Sequence, residues 1–253
     1  MSTALITGTT SGLGYEFAKL FAKDHYDLVL VSRNMEKLKK QKEELQQAYG
    51  IKVSIYAFDL SVIGVAQTLY NVVNEQIDVL VNNAGFYEYG NFHEANLTKE
   101  LEMVQLHNLF LTELSGYYIQ DMVKRKSGKI LNVASVAAFA ALPYGAVYGA
   151  TKAYILAFSK ALHVELKRYG ISVSALCPPA TATQFALKAN IESTPLFKGI
   201  VMEADVVAKI GYEGLMRNKN VILPGILSKG MYLSSKVVPT SLVNQVLLKI
   251  MKK

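Results

Sequence analysis

Thr7-Gly8-Thr9-Thr10-Ser11-Gly12-Leu13-Gly14 joins a short apolar run at 4–7 to a segment in which Leu13, Phe17, Leu20 and Phe21 recur at helical spacing. A glycine-rich turn between a strand and a helix is a local architecture with a purpose. Gly8 permits the tight turn, Gly12 lets the backbone approach a phosphate-bearing ligand, and Gly14 lets helix and strand pack closely. The first turn of that helix presents free N–H groups and a positive dipole end, which together suit an anion.

Outward from this turn, apolar β-rich runs alternate with helical patterns almost to the end of the chain. Strands are expected at 28–31, 52–58, 77–81, 129–133, 171–176 and 220–223, and helices at about 61–75, 98–126, 147–169 and 203–218. A charged helix follows the second strand, with Asn34 as its cap. Such alternation implies an α/β fold: a parallel sheet, doubly wound, with helices on both faces and right-handed crossovers. Ligands in these sheets bind beyond the carboxyl ends of the strands, where the winding reverses.

The 253 residues suit one large α/β domain over 1–253, and a content of 51% hydrophobic and 19% charged residues is that of a compact chain. Cys177 is the only cysteine, so no intrachain disulfide forms and a reducing, cytoplasmic location is expected. The four histidines (His25, His93, His107, His163) stand apart, and no metal site is expected. The amino terminus lacks a basic segment followed by an apolar run, so no signal peptide is expected. The uncharged run 130–151 is long enough to span a bilayer, but Asn132, Ser135, Pro143, Gly145, Tyr148 and Gly149 interrupt it. A buried strand and a polar-lined loop are expected there. The net charge of +7 is concentrated in residues 226–253, which hold five lysines and no acid. No arginine-rich or aromatic-interleaved patch suggests a nucleic-acid partner.

The glycine spacing G-x-x-x-G-x-G differs from the commoner G-x-G-x-x-G and resembles the T-G-x-x-x-G-x-G motif of the short-chain dehydrogenase/reductase family, in its short one-domain branch. Asn82-Asn83-Ala84-Gly85 resembles that family's N-N-A-G segment, Asp59 its adenine-contacting aspartate, and Tyr148-Gly149-Ala150-Thr151-Lys152 its Y-x-x-x-K. Ser135 precedes Tyr148 by the usual thirteen residues, and Asn108, rather than its neighbour His107, best matches the family's relay asparagine. The resemblance implies a Rossmann-type domain and a nicotinamide-dependent oxidoreductase, with Asn108, Ser135, Tyr148 and Lys152 as catalytic residues. It further implies cofactor contacts from Gly8, Thr10, Ser11, Gly12, Leu13 and Gly14 in the first turn, from Asp59 and Leu60, and from Asn83, Ala84 and Gly85. Tyr148, Lys152, Pro178, Thr181 and Thr183 complete that set. A sensor that binds the dinucleotide without turnover is the competing expectation, and such proteins tend to lose the tyrosine or the lysine.

The end of the second strand reads Val31-Ser32-Arg33-Asn34, with no acid to bind ribose hydroxyls and an arginine able to grip a 2′-phosphate, which favours NADP(H). Tyr148 and Lys152, four apart, share one helix face. A free tyrosine titrates near pH 10, so acid–base work at neutral pH calls for a drop of about 2–3 units. The expectation is that the Lys152 ammonium and the positive nicotinamide ring supply it. Pro179 stands where the family usually has glycine, which changes the loop shape and leaves Thr181 and Thr183 competing for the carboxamide.

The substrate pocket is expected among 86–93, 136–145 and 184–202, which offer Phe86, Tyr87, Tyr89, Phe92, Phe139, Leu142, Tyr144, Phe185, Leu187, Leu196 and Phe197, with Lys188 and Lys198 the only basic groups. An apolar or aromatic carbonyl compound or alcohol follows from that lining. Ala150, Ala153, Ala157 and Ala161 form a small-residue stripe, read as a homodimer or homotetramer contact or as intrachain packing. Leu242, Val243, Val246, Leu247, Ile250 and Met251 make the basic tail 226–253 amphipathic, to pack on its own domain or a partner subunit, or to touch a membrane surface through 240–253.

Overall fold

In the computed structural model the apolar runs between the turns become parallel strands: β1 (Thr3–Thr7), β2 (Asp27–Ser32), β3 (Val53–Ala57), β4 (Val79–Asn82), β5 (Gly128–Val133), β6 (Ile171–Leu176) and β9 (Val221–Ile222). They form one seven-stranded sheet in the order β3-β2-β1-β4-β5-β6-β9. The structure describes residues 1–189, 191, 194, 195, 199 and 201–252, without the side chains of Lys188, Thr240 and Ser241. Ile6 pairs with Leu30 on one side and Val81 on the other, and Val81 with Leu131. Side chains alternate between two cores, as period-two geometry requires when both faces of a sheet are covered. Ala4, Ile6, Leu28, Leu30, Val79 and Val81 face one cluster; Leu5, Val29, Val31 and Leu80 face the other.

Helices α1 (Gly12–Lys23), α2 (Met35–Tyr49) and α8 (Ala204–Met216) supply residues to the first cluster. Helices α3 (Val65–Val72), α5 (Leu111–Arg125) and α6 (Ala146–Leu166) supply the second. Asn34 caps α2 as expected, its side chain accepting from the Lys37 N–H at 2.9 Å. Buried amides tie the second layer to the sheet: Asn82 Nδ2 donates to Asn132 Oδ1 (2.8 Å) and Ser115 Oγ (3.0 Å), and Asn132 Nδ2 donates to Ser159 Oγ (2.9 Å).

The expected helix at 98–126 divides into α4 (Leu97–Val104), a π-helical turn (Gln105–Phe110) and α5. That at 61–75 shrinks to α3, because Gly64 enters it at φ 79° and Val73 leaves it in extended backbone. The uncharged run 130–151 is shared by β5, a 3-10 turn (Val136–Phe139) and the start of α6. Among the described residues no helix is long and apolar enough to cross a membrane. After β6 come a two-stranded parallel ribbon, β7 (Thr181–Ala182) with β8 (Met202–Glu203), and the short α7 (Gln184–Lys188). The basic tail forms α9 (Gly225–Val237) and α10 (Thr240–Met251). The winding reverses between β1 and β4, and the carboxyl ends of β1, β4, β5 and β6 meet at one edge.

Candidate active site

β1 ends in a turn that glycines alone allow. Gly8 has φ 71° and donates to the Val31 carbonyl at 2.7 Å, and a Cβ there would fall 2.8 Å from Ala84 Cα. A Cβ on Gly14 would stand 2.2 Å from the Gly8 carbonyl oxygen, so α1 lies as near the turn as backbone permits. Thr7 Oγ1 accepts from the Asn83 and Ala84 N–H groups, each at 3.0 Å, while Asn83 Nδ2 donates to the carbonyls of Thr7 (2.9 Å) and Gly8 (3.1 Å). The turn and the end of β4 are therefore one rigid unit, and Asn83 acts as its brace.

Helix α1 starts with no side chain capping its N–H groups and no acid in its first turn. Those residues border a cavity of about 460 Å³ that runs from Arg33 and Asp59 to Tyr148 and Lys152. Open donors, a positive dipole end and glycines at the closest approach fit the pyrophosphate of a dinucleotide. Thr10 Oγ1 and Ser32 Oγ hydrogen-bond at 3.0 Å, joining the turn to the end of β2. Asp59 accepts from the Ser61 hydroxyl (2.6 Å), which, with the nearby Arg33 and Lys99 charges adding, holds its carboxyl below the usual range against the effect of burial. Lys99, which sequence reasoning passed over, borders this end of the cavity and pairs with Glu102 at 2.7 Å.

At the other end, α6 presents Tyr148 and Lys152 on one buried face. Lys152 Nζ donates to the Val133 carbonyl at 2.8 Å and stands 5.6 Å from the Tyr148 ring centroid. Tyr148 stacks on Tyr87 with centroids 4.4 Å apart. Ser135 Oγ accepts from the Ala137 N–H (3.1 Å), which turns the chain after β5, and the same hydroxyl hydrogen-bonds Tyr148. In the absence of the nicotinamide ring, on which the expected drop also depends, Tyr148 is not lowered on balance. Burial pushes its phenol up to about 12, the Ser135 hydrogen bond opposing, and burial also brings Lys152 down to about 8. Both charged forms lose hydration in the same apolar surroundings.

His107, which sequence reasoning set aside, does not border the cavity but is buried against Gly85 and Tyr148. Its Nε2 accepts from the Phe86 N–H (3.2 Å), so the ring proton sits on Nδ1 and is donated to Thr151 Oγ1 (2.9 Å), which donates in turn to the Tyr148 carbonyl (2.8 Å). Burial, helped by the Lys152 charge, keeps the ring neutral, with its pKa well below 6.5. A Cβ on Gly85 would lie 2.6 Å from that Nε2, so this clamp needs glycine. Asn108, next along the π turn, does not border the cavity, and its buried Oδ1 has no partner among the described residues.

A model of the short chain dehydrogenase family matches residues 2–193. The chain belongs to that family. Among its relatives, a very-long-chain 3-oxoacyl-CoA reductase of Anas platyrhynchos is 31% identical over 255 aligned positions, which cover 97% of this chain and 78% of that protein. The rat protein of the same description is 32% identical, with 60% of its length covered. Of solved structures, a short-chain dehydrogenase from Sphingobium yanoikuyae in complex with NADPH superposes with TM-score 0.84 at 29% identity, over 100% of this chain and 97% of that one. A bulky-bulky ketone specific alcohol dehydrogenase from Comamonas testosteroni gives TM-score 0.81 at 26% identity, over 100% and 96%.

Every expected site residue of this short chain dehydrogenase except Gly14 and Asn108 borders the cavity. Of the expected substrate residues, Phe86, Tyr87, Leu142 and Phe185 do so. Phe92 and Leu187 are exposed instead, Phe139 packs edge-on against Tyr232, and Tyr144 lies against Tyr89. Leu196, Phe197, Lys198 and the Lys188 side chain lie outside the described part. Residues far along the chain complete the apolar end: Ile191, Met231 of α9, and Leu247 and Met251 of α10. Tyr89 donates its hydroxyl proton to the Met251 carbonyl, fastening α10 to the loop after β4. Pro179 sits in a loop held by its neighbours: Pro178 O accepts from the Val136 N–H (3.0 Å), Pro179 O from the Thr181 hydroxyl (2.9 Å), and Ala180 O from the Met202 N–H (3.0 Å).

Proposed function

We propose that this short chain dehydrogenase reduces an apolar, bulky carbonyl compound, or oxidises the matching secondary alcohol, with NADP(H). The observation that carries the proposal is the convergence of Ser135, Tyr148 and Lys152 on one cavity continuous with the glycine cradle. In reduction Tyr148 Oη gives its proton to the substrate oxygen, and in oxidation it takes that proton back. Ser135 Oγ holds the same oxygen beside the phenol. Lys152, fixed by the Val133 carbonyl, carries positive charge under the tyrosine ring and reaches for ribose hydroxyls. Asn108 continues the proton path from Lys152 to water. When bound, NADP(H) gives or accepts the hydride, and its oxidised ring adds the positive charge that the Tyr148 phenolate lacks here.

Ser11, Gly12 and Leu13 hold the pyrophosphate in this proposal, with Gly8, Thr10 and Gly14 shaping the turn. Asp59, Leu60, Ala84 and Gly85 enclose the adenosine and its ribose, and Arg33 grips the 2′-phosphate. Thr183 takes the carboxamide: its Oγ1 accepts from the Phe185 N–H (3.3 Å), but its own proton makes only a long contact to the Thr181 carbonyl (3.5 Å), whereas the Thr181 proton is committed to the Pro179 carbonyl at 2.9 Å. Pro178 closes the same wall. The NADPH of the Sphingobium structure and the bulky ketones of the Comamonas enzyme agree with this choice of cofactor and substrate.

The experiment is a panel of apolar ketones with NADPH, for wild type and Tyr148→Phe. Wild type should oxidise NADPH, and Tyr148→Phe should be inactive while still binding it. Substantial turnover by Tyr148→Phe would sink the mechanism. NADPH binding with no turnover of any ketone or alcohol would favour the sensor.

A further inference from the structure

Helices α9 and α10 have two unlike sides. Inward, Met231, Leu247 and Met251 border the cavity, Met251 being only 1% exposed. Outward, Ile226 (88% exposed), Leu233 and Val237 (81% exposed) recur at i, i+7 and i+11, one stripe along α9. Exposed Leu242 and Val246 form a second stripe along α10 that runs on to Lys249 at helical spacing. Lys229, Lys236, Lys249 and Lys252 are all exposed, and residues 225–252 contain no acid.

We propose that these two helices dock the protein on an anionic lipid surface and so place the apolar end of the cavity where it takes substrate from the bilayer. The substrate clause rests on the reductase reading; the docking does not. Helices of 13 and 12 residues are too short to span a bilayer but suit its interface, the apolar stripes entering the acyl boundary while lysine stems reach headgroup phosphates. Charge selects lipid over a second copy. A two-fold contact lays a patch against itself, and here lysines would face lysines with no carboxylate in 225–252 to pair them. A face for self-contact that carries both signs of charge exists elsewhere: Ala150, Ala153, Ala157 and Ala161 on α6 are all exposed, with exposed Lys160 and Glu165 beside them. The helices that would touch the membrane are also those that wall the pocket, so a ligand leaving the bilayer has a short path.

The test uses the full chain with vesicles of phosphatidylcholine alone and of phosphatidylcholine with phosphatidylglycerol. The protein should sediment with the anionic vesicles at low salt, remain free of the neutral ones, and come off as salt screens the lysines. A variant carrying Ile226→Ser, Leu233→Ser and Val237→Ser, and another carrying Lys229→Gln and Lys249→Gln, should each bind roughly tenfold or more weakly. Unchanged NADPH titration shows that each variant is folded. No binding of wild type to anionic vesicles overturns the proposal, as does undiminished binding by folded variants. Absence of vesicle binding together with a smaller species in sedimentation velocity for the serine variant would name a second copy as the occupant. For the substrate clause, a ketone carried in anionic vesicles should show a lower KM than in neutral ones, a difference the variants lose; equal KM values with intact docking would refute that clause alone. Vesicle binding needs no turnover, so an inactive preparation that still docks would fault the reductase reading and not this one.

Discussion

Arg33 stands exposed at the end of β2, on the rim of the cavity, with no acid beside it in Val31-Ser32-Arg33-Asn34. Charge-assisted hydrogen bonds to a phosphate are worth about 1.5–3 kcal/mol each, so Arg33→Ala should weaken NADPH binding roughly tenfold to a hundredfold and NADH binding little. Titration with both reduced cofactors checks this, and equal losses would place the phosphate elsewhere. His107 supports a prediction of another kind. The unfolded chain protonates it near 6.5, while the folded ring stays neutral to well below that. Below 6.5 the unfolded state therefore binds a proton that the folded state refuses. The stabilisation is whole above that pH and is lost as pH falls through the window beneath it. Wild-type Tm should drop from about pH 7 to about pH 5, and His107→Gln, less stable throughout, should show a flatter profile.

At the scale of elements, α10 is a wall added to a site that strands and loops have already built. Leu247 and Met251 lie on the substrate side, far from Arg33 and the glycine turn, and the Tyr89 hydroxyl holds the helix in place. Removing residues 240–253 should leave NADPH affinity nearly unchanged and raise KM for bulky apolar ketones roughly tenfold, the worth of one buried apolar side chain. Steady-state kinetics on a short and a bulky ketone separate the two ends, since a short substrate should notice the loss least. The π-helical turn is a second such device: the widened turn carries both His107, which clamps Phe86 to α6, and the buried side-chain amide oxygen of Asn108.

For the whole molecule, the arrangement separates three surfaces: the sheet edge with the cavity, the basic apolar tail, and the outer face of α6. The alanine stripe on α6, exposed rather than packed within the chain, is where a second copy is expected. Small side chains let two helices approach closely, and a charge in that contact would be buried without a partner. Ala153→Glu with Ala157→Glu should convert a dimer or tetramer to smaller species in sedimentation velocity while NADPH binding persists. Wild-type protein already monomeric at micromolar concentration would remove this face as an interface.

What the sequence determined by itself is what local spacing encodes. Alternating apolar runs, Gly8, Gly12 and Gly14, the Asn34 cap and the four-residue step from Tyr148 to Lys152 depend on neighbours along the chain, and each formed the element expected. Contacts between distant segments were decided only by folding. Tyr87 stacks on Tyr148 and His107 grips Phe86 because β4, the π turn and α6 converge, and no periodicity in any one of them signals that meeting. Phe92 and Leu187 face outward although their stretches border the site, since a loop sets side-chain direction by its course through space. The acidity of Tyr148 follows the same logic. Its spacing from Lys152 is local, but the burial that pushes the phenol up to about 12 is the work of the surrounding layers, where desolvation outweighs the opposing Ser135 hydroxyl.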